Sequence, residues 1–253
     1  MTLNTITNGD LQGVPLLIAH GLFGTARNWG VLAKRFASDR QVFSVDMRNH
    51  GESFHAPSNS YHDMADDLAS VISGGAGQAN VLGHSMGGKA AMVLAVSRPE
   101  LVKKLVIADI APVGYGHSQS DKIAAMRAVD LSKVERRRDA EEQLAEWIGD
   151  PQLRSFLLQS LTLGEGGPSW KVNLDALDAA MADIIGFPDI PGRFEGEVLF
   201  LSGGASDYVQ PQHHDRILSL FPNAQFEKID GAGHWLHAEK PREFEAAVAE
   251  FLA

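Results

Sequence analysis

The segment GHSMG matches the pattern G-x-S-x-G and makes Ser85 a candidate nucleophile. A serine hydroxyl reacts poorly at its ordinary pKa, so it needs a base to remove its proton and a turn to expose its oxygen. Gly83 and Gly87 suit such a turn, because a Cβ at either position would collide with the neighbouring strand or helix. The pattern alone is common, but here it lies between a strand-like run at residues 79–82 and an alanine-rich helical run at residues 89–96. The alternative is a structural serine in a tight turn.

His234 is the candidate base for this serine. It lies in the glycine-rich segment at residues 231–235, after a strand-like run and before the last helical run, so its imidazole can reach over the edge of a sheet toward Ser85. The chain has ten histidines, and most of them must have other roles. We interpret His237 as a cap or surface contact, and residues 213–214 as a solvated histidine pair on a helix.

Two aspartates could orient the imidazole of His234. Asp109 lies at the end of the strand-like run at residues 101–110, whereas Asp207 ends the segment GGASD in a later loop. The order serine, acid, histidine is the order found on the α/β-hydrolase scaffold, where the later loop supplies the acid in most cases. The residues themselves therefore leave the choice between Asp109 and Asp207 open.

An acyl-transfer site also needs backbone N–H groups aimed at the oxygen on which negative charge develops. The amide of Met86, directly after the candidate nucleophile, is one such donor. The second is expected in the segment HGLFG, where Gly21 and Gly24 allow a sharp turn; we predict the amide of Leu22, with Phe23 as its neighbour. The alternative is that HGLFG is only a turn.

These candidates lie at the ends of strands in a chain that alternates strands with helices. Ligands of open parallel sheets bind beyond the carboxyl ends of the strands, where His20, Ser85 and Asp109 would converge. We predict an α/β fold with a mostly parallel sheet flanked by helices. The expected strands cover residues 3–7, 15–19, 41–45, 79–82, 101–110, 197–202 and 225–229, and the expected core helices cover residues 28–36, 61–72, 89–96, 211–221 and 241–252.

The alternation stops between residues 112 and 190, where the pattern is helical and without strands. The expected helices of this segment cover residues 131–148, 153–163 and 172–185. We predict a helical cap at 112–190, inserted after the strand that ends near Ile110. Residues 1–111 and 191–253 would then form the core.

Composition excludes several classes of site and partner. The formal net charge of −10 argues against nucleic acid, because phosphate backbones would be repelled. The chain has no cysteine, which excludes disulfides, thiolate metal sites and cysteine nucleophiles. The polar first residues and the lack of a long apolar run favour a cytoplasmic protein without a membrane span.

Five motifs together resemble one family, the YbfF-type bacterial esterases, which are related to the mitochondrial abhydrolases. They are HGLFG, DMRNHG, GHSMGGK, IADIAPV and GAGHWLHAEKP. The resemblance covers nearly the whole chain and is weakest in the middle of the cap. It implies an α/β-hydrolase fold with a helical cap, and a carboxylic ester hydrolase that needs neither cofactor nor metal. It also implies that Asp109 is the acid and that Ser206 lies near the histidine, although this chain carries Asp207 beside that serine.

The leading hypothesis is therefore a serine esterase that acts on short acyl esters, and on acyl-CoA thioesters, through an acyl-enzyme at Ser85. The alternatives on the same triad are a thioesterase and a C–C bond hydrolase. From another class, a non-catalytic ligand receptor on the same fold is the third hypothesis, since fold does not fix function. The expected partner is a small-molecule ester or thioester, and the sequence leaves the oligomeric state open.

Three further groups of residues receive structural interpretations. Residues 48–50 are expected to organise, by hydrogen bonds, the loop next to the oxyanion strand. Lys133 and residues 136–138 could meet an anionic tail such as the phosphates of CoA, but the solvated face of a helix is the favoured interpretation. Apolar cap residues have the spacing of helix packing, and some are expected to line an acyl pocket: Trp147, Phe156, Leu157 and Trp170.

Overall fold

The computed structural model describes residues 1–10 and 13–253. Within these residues, seven strands form one sheet in the order β1-β3-β2-β4-β5-β8-β9, in which the pair β1 and β3 is antiparallel and the other pairs are parallel. The prediction of a mostly parallel sheet is confirmed. The strands of this sheet are β1 (Thr5–Asn8), β2 (Leu16–Ala19), β3 (Val42–Val45), β4 (Ala79–His84), β5 (Val102–Ala108), β8 (Glu197–Gly203) and β9 (Ala224–Ile229).

Helices cover both faces of this sheet, which explains why its central strands are apolar without alternation. Along β4, Val81 packs into the apolar cluster on one face and Leu82 into the cluster on the other. Met64 and Ala90 belong to the first cluster, and Phe244 belongs to the second. The helices of the core are α1 (Gly30–Phe36), α2 (Tyr61–Gly74), α3 (Met86–Ser97), α9 (His214–Leu220), α10 (Leu236–Glu239) and α11 (Pro241–Leu252).

The segment between β5 and β8 contains helices and one small sheet. Its helices are α4 (Ser120–Ala128), α5 (Arg137–Leu144), α6 (Pro151–Leu157), α7 (Leu174–Ala179) and α8 (Met181–Ile185). Strands β6 (Leu161–Gly164) and β7 (Gly167–Trp170) pair antiparallel, so the expectation of helices without strands is wrong. Gly167 has φ +87°, which lets the chain reverse between the two strands, and β6 replaces the end of the helix expected at residues 153–163.

No helix in the part of the chain that the structure describes is both long enough and apolar enough to cross a membrane.

Candidate active site

Ser85 lies at the sharp turn between β4 and α3, with φ 53° and ψ −118°. A non-glycine residue with positive φ is strained, and the surrounding packing must hold it in place. A Cβ on Gly83 would lie 2.4 Å from the carbonyl oxygen of Gly87, and a Cβ on Gly87 would lie 2.4 Å from that of Ala19. The prediction that both glycines are required by close approach is confirmed.

Asp109 and His234 meet beyond the carboxyl end of the sheet. The Nδ1–H of His234 donates to Oδ2 of Asp109 at 2.7 Å, and this carboxylate is fully buried. Asp109 also accepts from the backbone N–H of Gly203 at 3.0 Å and from the hydroxyl of Ser206 at 2.5 Å. Because Nδ1 carries the hydrogen, Nε2 is the basic nitrogen of the neutral ring.

Asp207, the other candidate acid, takes no part in this network. Its side chain is exposed and accepts a hydrogen bond from Nε2 of Gln210 at 3.0 Å. The structure therefore brings Asp109 and Ser206 to His234 and leaves Asp207 at the surface.

The segment HGLFG, which includes Gly21, lies against the candidate nucleophile. A Cβ on Gly21 would be 3.1 Å from Cβ of Ser85. Two amides of this loop are occupied, because Phe23 donates to Nε2 of His50 at 3.2 Å and Gly24 donates to the carbonyl of Gly21 at 3.0 Å. The amide of Leu22 directly precedes these two in the chain, and Leu22 and Met86 both line the same cavity as Ser85.

Two buried histidines join the loop after β2 to the loop after β3. Nε2 of His20 accepts from the amide of Met47 at 2.9 Å, while His50 accepts from Phe23 in the opposite direction. Each ring donates through Nδ1 to a carbonyl, that of Gly21 for His20 and that of Arg48 for His50. Burial lowers the pKa of His20 and lowers that of His50 to about 3, so both rings are neutral at neutral pH.

The neighbours of His50 hold the same loop. Arg48 is buried and donates to both carboxylate oxygens of Asp67 at 2.5 and 2.9 Å. Asn49, with φ 65°, donates to Oδ1 of Asn59 and accepts from Asn173 in the segment between β5 and β8. The predicted structural role of residues 48–50 is confirmed.

Aromatic side chains also surround His234, and no sequence motif predicted these contacts. The ring of Tyr208 stacks on His234 at a centroid distance of 4.0 Å, and Nε2–H of His84 donates to the backbone carbonyl of His234 at 2.9 Å. His237 stacks on Trp29 at 4.3 Å and lies 4.6 Å from His84. The interpretation of His237 as a cap or surface contact is therefore wrong, because its ring is packed between aromatic neighbours. His214 also differs from its expected solvated state, since it stacks on Phe226 at 4.1 Å.

Ser85, Tyr208, His234 and residues 20–24 line one cavity of about 300 Å³. Phe156 lines the cavity as expected, whereas Leu157 is buried in the core. Trp170 is partly buried and donates to the carbonyl of Met126. Trp147 is 60% exposed, so the expectation that it packs or lines a pocket is wrong. Other lining residues are Tyr61, Lys89, Tyr115, Leu153, Ile184, Ile185 and Trp235.

The basic run at residues 133–138 is a solvated surface. The side chains of Lys133, Arg136 and Arg138 are more than three-quarters exposed and form ion pairs with neighbouring carboxylates of the same segment. Arg137 donates to the carbonyl of Leu158. The favoured interpretation, a solvated helix face, agrees with these contacts.

The sequence pattern of the alpha/beta hydrolase family matches residues 16–247. The chain belongs to this family. The matched range spans all of the strands except β1, and it includes Ser85, Asp109 and His234. The α/β-hydrolase fold predicted from the motif order is therefore confirmed.

Relatives within the alpha/beta hydrolase family are similar over nearly the whole chain. The sn-1-specific diacylglycerol lipase ABHD11 of Mus musculus is 42% identical over 98% of this chain and 84% of its own length. The esterase YbfF of Escherichia coli is 39% identical over 94% of this chain and 92% of its own, which confirms the resemblance to that type. Among solved structures, a marine microorganism esterase has 39% sequence identity and a TM-score of 0.95, and the match covers 99% of both chains.

Proposed function

We propose that the protein is a serine carboxylic ester hydrolase that uses Ser85, His234 and Asp109. The observation that carries this proposal is the 2.7 Å hydrogen bond from His234 Nδ1–H to Asp109, at the end of the sheet where the turn exposes Ser85. This bond fixes the tautomer in which Nε2 is free to act as a base. The esterase and lipase names of the relatives support the same reaction class.

In the first half of the proposed reaction, Nε2 of His234 accepts the proton of the Ser85 hydroxyl as Oγ attacks the acyl carbonyl carbon. The carbonyl electron pair moves onto oxygen, and the amides of Leu22 and Met86 donate to this oxyanion. Asp109 stabilises the imidazolium ion of His234. The carbonyl then re-forms, the bond to the alcohol oxygen breaks, and the imidazolium gives its proton to the leaving alcohol.

Water completes the cycle through the same groups. His234 removes a proton from a water molecule whose oxygen attacks the acyl-enzyme, and the same two amides stabilise the second oxyanion. Collapse of this intermediate breaks the bond to Oγ of Ser85, which takes the proton back from the imidazolium. The products are a carboxylic acid and a regenerated hydroxyl.

The size and lining of the cavity support the proposed substrate class. A volume of about 300 Å³ is at the small end of the range for ligand sites, and its walls are mainly apolar side chains. These dimensions favour short acyl groups. The proposal also includes acyl-CoA thioesters, which differ from esters in their leaving group. It includes diacylglycerol because the mouse relative is named a diacylglycerol lipase.

Residues 112–190 are proposed to act as a cap and residues 1–111 and 191–253 as the core. Several cavity residues, including Phe156 and Ile185, come from the proposed cap. The cap would therefore select the acyl group that reaches Ser85. A cytoplasmic location and the lack of a nucleic-acid partner stay predictions.

A panel of substrates tests the proposed function. We expect p-nitrophenyl acetate and butyrate to be hydrolysed, with kcat/KM declining for octanoate, and the Ser85→Ala variant to lose more than about 10³-fold in kcat. Acyl-CoAs of the same chain lengths and dispersed diacylglycerol are measured in parallel, which ranks the leaving-group classes. Turnover of none of these substrates by the folded protein would contradict the proposal and favour a ligand receptor.

A further inference from the structure

Lys89 lies in the cavity wall, in an unusual position for a lysine. It follows Ser85 by four residues, and its backbone N–H donates to the carbonyl of Ser85 at 3.0 Å, so the two side chains share one face of α3. Its exposure is 1%, and the residue lines the same cavity as the candidate nucleophile. The proposed reaction assigns no role to this cation.

The ammonium group of Lys89 is held by backbone carbonyls. Nζ donates to the carbonyl of Ile185 at 3.0 Å and to that of Gly186, and the carbonyl of Ile184 lies 3.5 Å away. The aromatic ring of Tyr115 has its centroid 4.8 Å from Nζ. Within residues 1–10 and 13–253, no carboxylate forms an ion pair with Lys89. The cation therefore interacts with the carbonyl end of α8, where the backbone dipoles favour positive charge.

Two further contacts hold the same end of α8. The hydroxyl of Tyr61, on α2, donates to the carbonyl of Ile184 at 2.6 Å, and the amide of Tyr115 donates to the carbonyl of Ile185 at 3.0 Å. Ile184 and Ile185 both line the cavity. The last turn of α8 is thus a cavity wall whose position depends on donors from Lys89, Tyr61 and Tyr115.

We propose that Lys89 is a positioning residue that sets the length of acyl group the cavity accepts. Its ammonium ties the last turn of α8 to the nucleophile helix, and this tie fixes the wall formed by Ile184 and Ile185. This inference rests on the proposed esterase function. Without the ammonium the carbonyls at this end lose donors in a buried site, α8 moves away from α3, and longer acyl chains fit.

Burial lowers the pKa of Lys89 to about 7, because the carbonyls replace only part of the solvation that the ammonium loses. The contacts of Nζ with the carbonyls of residues 184–186 are the attachment between Lys89 and α8 on which the proposal rests.

The chain has no cysteine, so a Lys89→Cys variant carries a single thiol that can be alkylated selectively. Alkylation with 2-bromoethylamine restores an ammonium at the lysine position, and alkylation with 1-bromopropane gives a neutral group of the same length. Both reactions are done in mild denaturant and followed by refolding, and circular dichroism checks the fold. Lys171→Met is the matched control, because Lys171 forms an exposed ion pair with Glu52 away from α8.

The readout is the ratio of kcat/KM for p-nitrophenyl hexanoate to that for the acetate. We expect the propyl form to raise this ratio by about 10-fold, the low end of the discrimination that one methylene provides, with the aminoethyl form and Lys171→Met close to wild type. Hydrogen exchange of the amides at residues 181–186 should quicken only in the propyl form. Equal ratios and equal exchange in the two alkylated forms would overturn the proposal.

Two measurements distinguish a failure of the Lys89 proposal from a failure of the proposed esterase function. Fluorophosphonate labelling of Ser85 tests the proposed function on its own, and the hydrogen-exchange comparison holds even if no ester is turned over. If the alkylated forms do not refold, Tyr61→Phe removes another donor to the same turn, from the carbonyl of Ile184. This variant should also raise the hexanoate-to-acetate ratio, by a smaller factor than the propyl form does. An unchanged ratio would overturn the proposal.

Discussion

The backbone amide of Phe23 donates a hydrogen bond of 3.2 Å to the imidazole of His50, from the loop after β2 to the loop after β3. A second bond, from the amide of Met47 to the ring of His20, joins the same loops in the opposite direction. The two rings lie 5.1 Å apart. Because Phe23 is occupied in this way, the neighbouring amide of Leu22 is the one that the proposed oxyanion site can use.

We therefore predict that His50→Ala lowers kcat for p-nitrophenyl acetate by about 10-fold to 100-fold while KM changes little. The amide of Phe23 would lose its acceptor, and the amide of Leu22 would shift from its position beside Ser85; loss of one oxyanion donor costs about 10²-fold or more. Steady-state kinetics on the folded variant measure this split. An unchanged kcat would mean that the bond between the loops does not position the oxyanion donor.

Asp109→Asn should lower kcat by about 10⁴-fold, the size seen when a triad aspartate of a serine protease is changed to asparagine. The amide side chain would favour the wrong tautomer of His234. Asp207→Asn is the matched control and should keep wild-type kcat, because Asp207 bonds to Gln210 at the surface. The reverse result, a loss in Asp207→Asn alone, would assign the acid to the later loop.

Acid should destabilise the fold before the carboxylates titrate. Burial lowers the pKa of His50 to about 3 from an ordinary value of 6.5, and it lowers that of His237 to about 3. Between pH 3 and pH 6.5 the unfolded chain binds more protons than the folded chain. The free energy of unfolding is therefore greatest above pH 6.5 and falls as the pH falls toward 3. Each such histidine contributes a slope of about 1.4 kcal/mol per pH unit in this window.

Urea unfolding at pH values from about 7 to about 5 measures this slope. His50→Asn should flatten this slope by about the contribution of one histidine, because the substitution removes a group whose pKa is lowered in the folded protein. A free energy of unfolding that stays constant from pH 6.5 to pH 5 would contradict the account of the buried histidines.

Gly83→Ala should lower the free energy of unfolding by more than about 3 kcal/mol, because the new Cβ would meet backbone atoms of the next helix that cannot rotate away. The nearest is the carbonyl oxygen of Gly87 at 2.4 Å. Gly74→Ala is the control: it lies at the end of α2, a Cβ there meets no atom within 4 Å, and it should be neutral or slightly stabilising. Denaturant unfolding of both variants measures this difference. Equal free energies of unfolding for the two variants would contradict the packing argument.

The core of the fold was predictable from the sequence because its signals are local. Buried strands such as β2 are short apolar runs, and the last helix was bounded correctly at Pro241–Leu252. The position of Ser85 at the turn between β4 and α3 was predictable for the same reason, since the motif, the strand and the helix are contiguous. The hairpin β6–β7 was missed because its strands have only four residues each and include glycine and proline.

The sequence does not show which of the two candidate acids, Asp109 or Asp207, lies beside His234. Both follow strands, and β5 and β8 are neighbours in the sheet, so sequence position does not separate them. Asp109 has φ 51° and accepts from Gly203 at the end of β8, a geometry that no local pattern encodes. The sequence around Lys89 predicts an ordinary helix and does not show that its ammonium is buried. This burial depends on α8, about a hundred residues away in the chain.

Mass spectrometry of the intact chain after treatment with a fluorophosphonate tests the central claim most directly, because the probe reacts only with a serine activated by a base. We predict one adduct per chain, located on the peptide that contains Ser85, with labelling absent in Ser85→Ala and strongly slowed in His234→Ala. An equal adduct in Ser85→Ala, or no adduct on the folded wild-type protein, would contradict the claim that Ser85 is a nucleophile activated by His234 and Asp109.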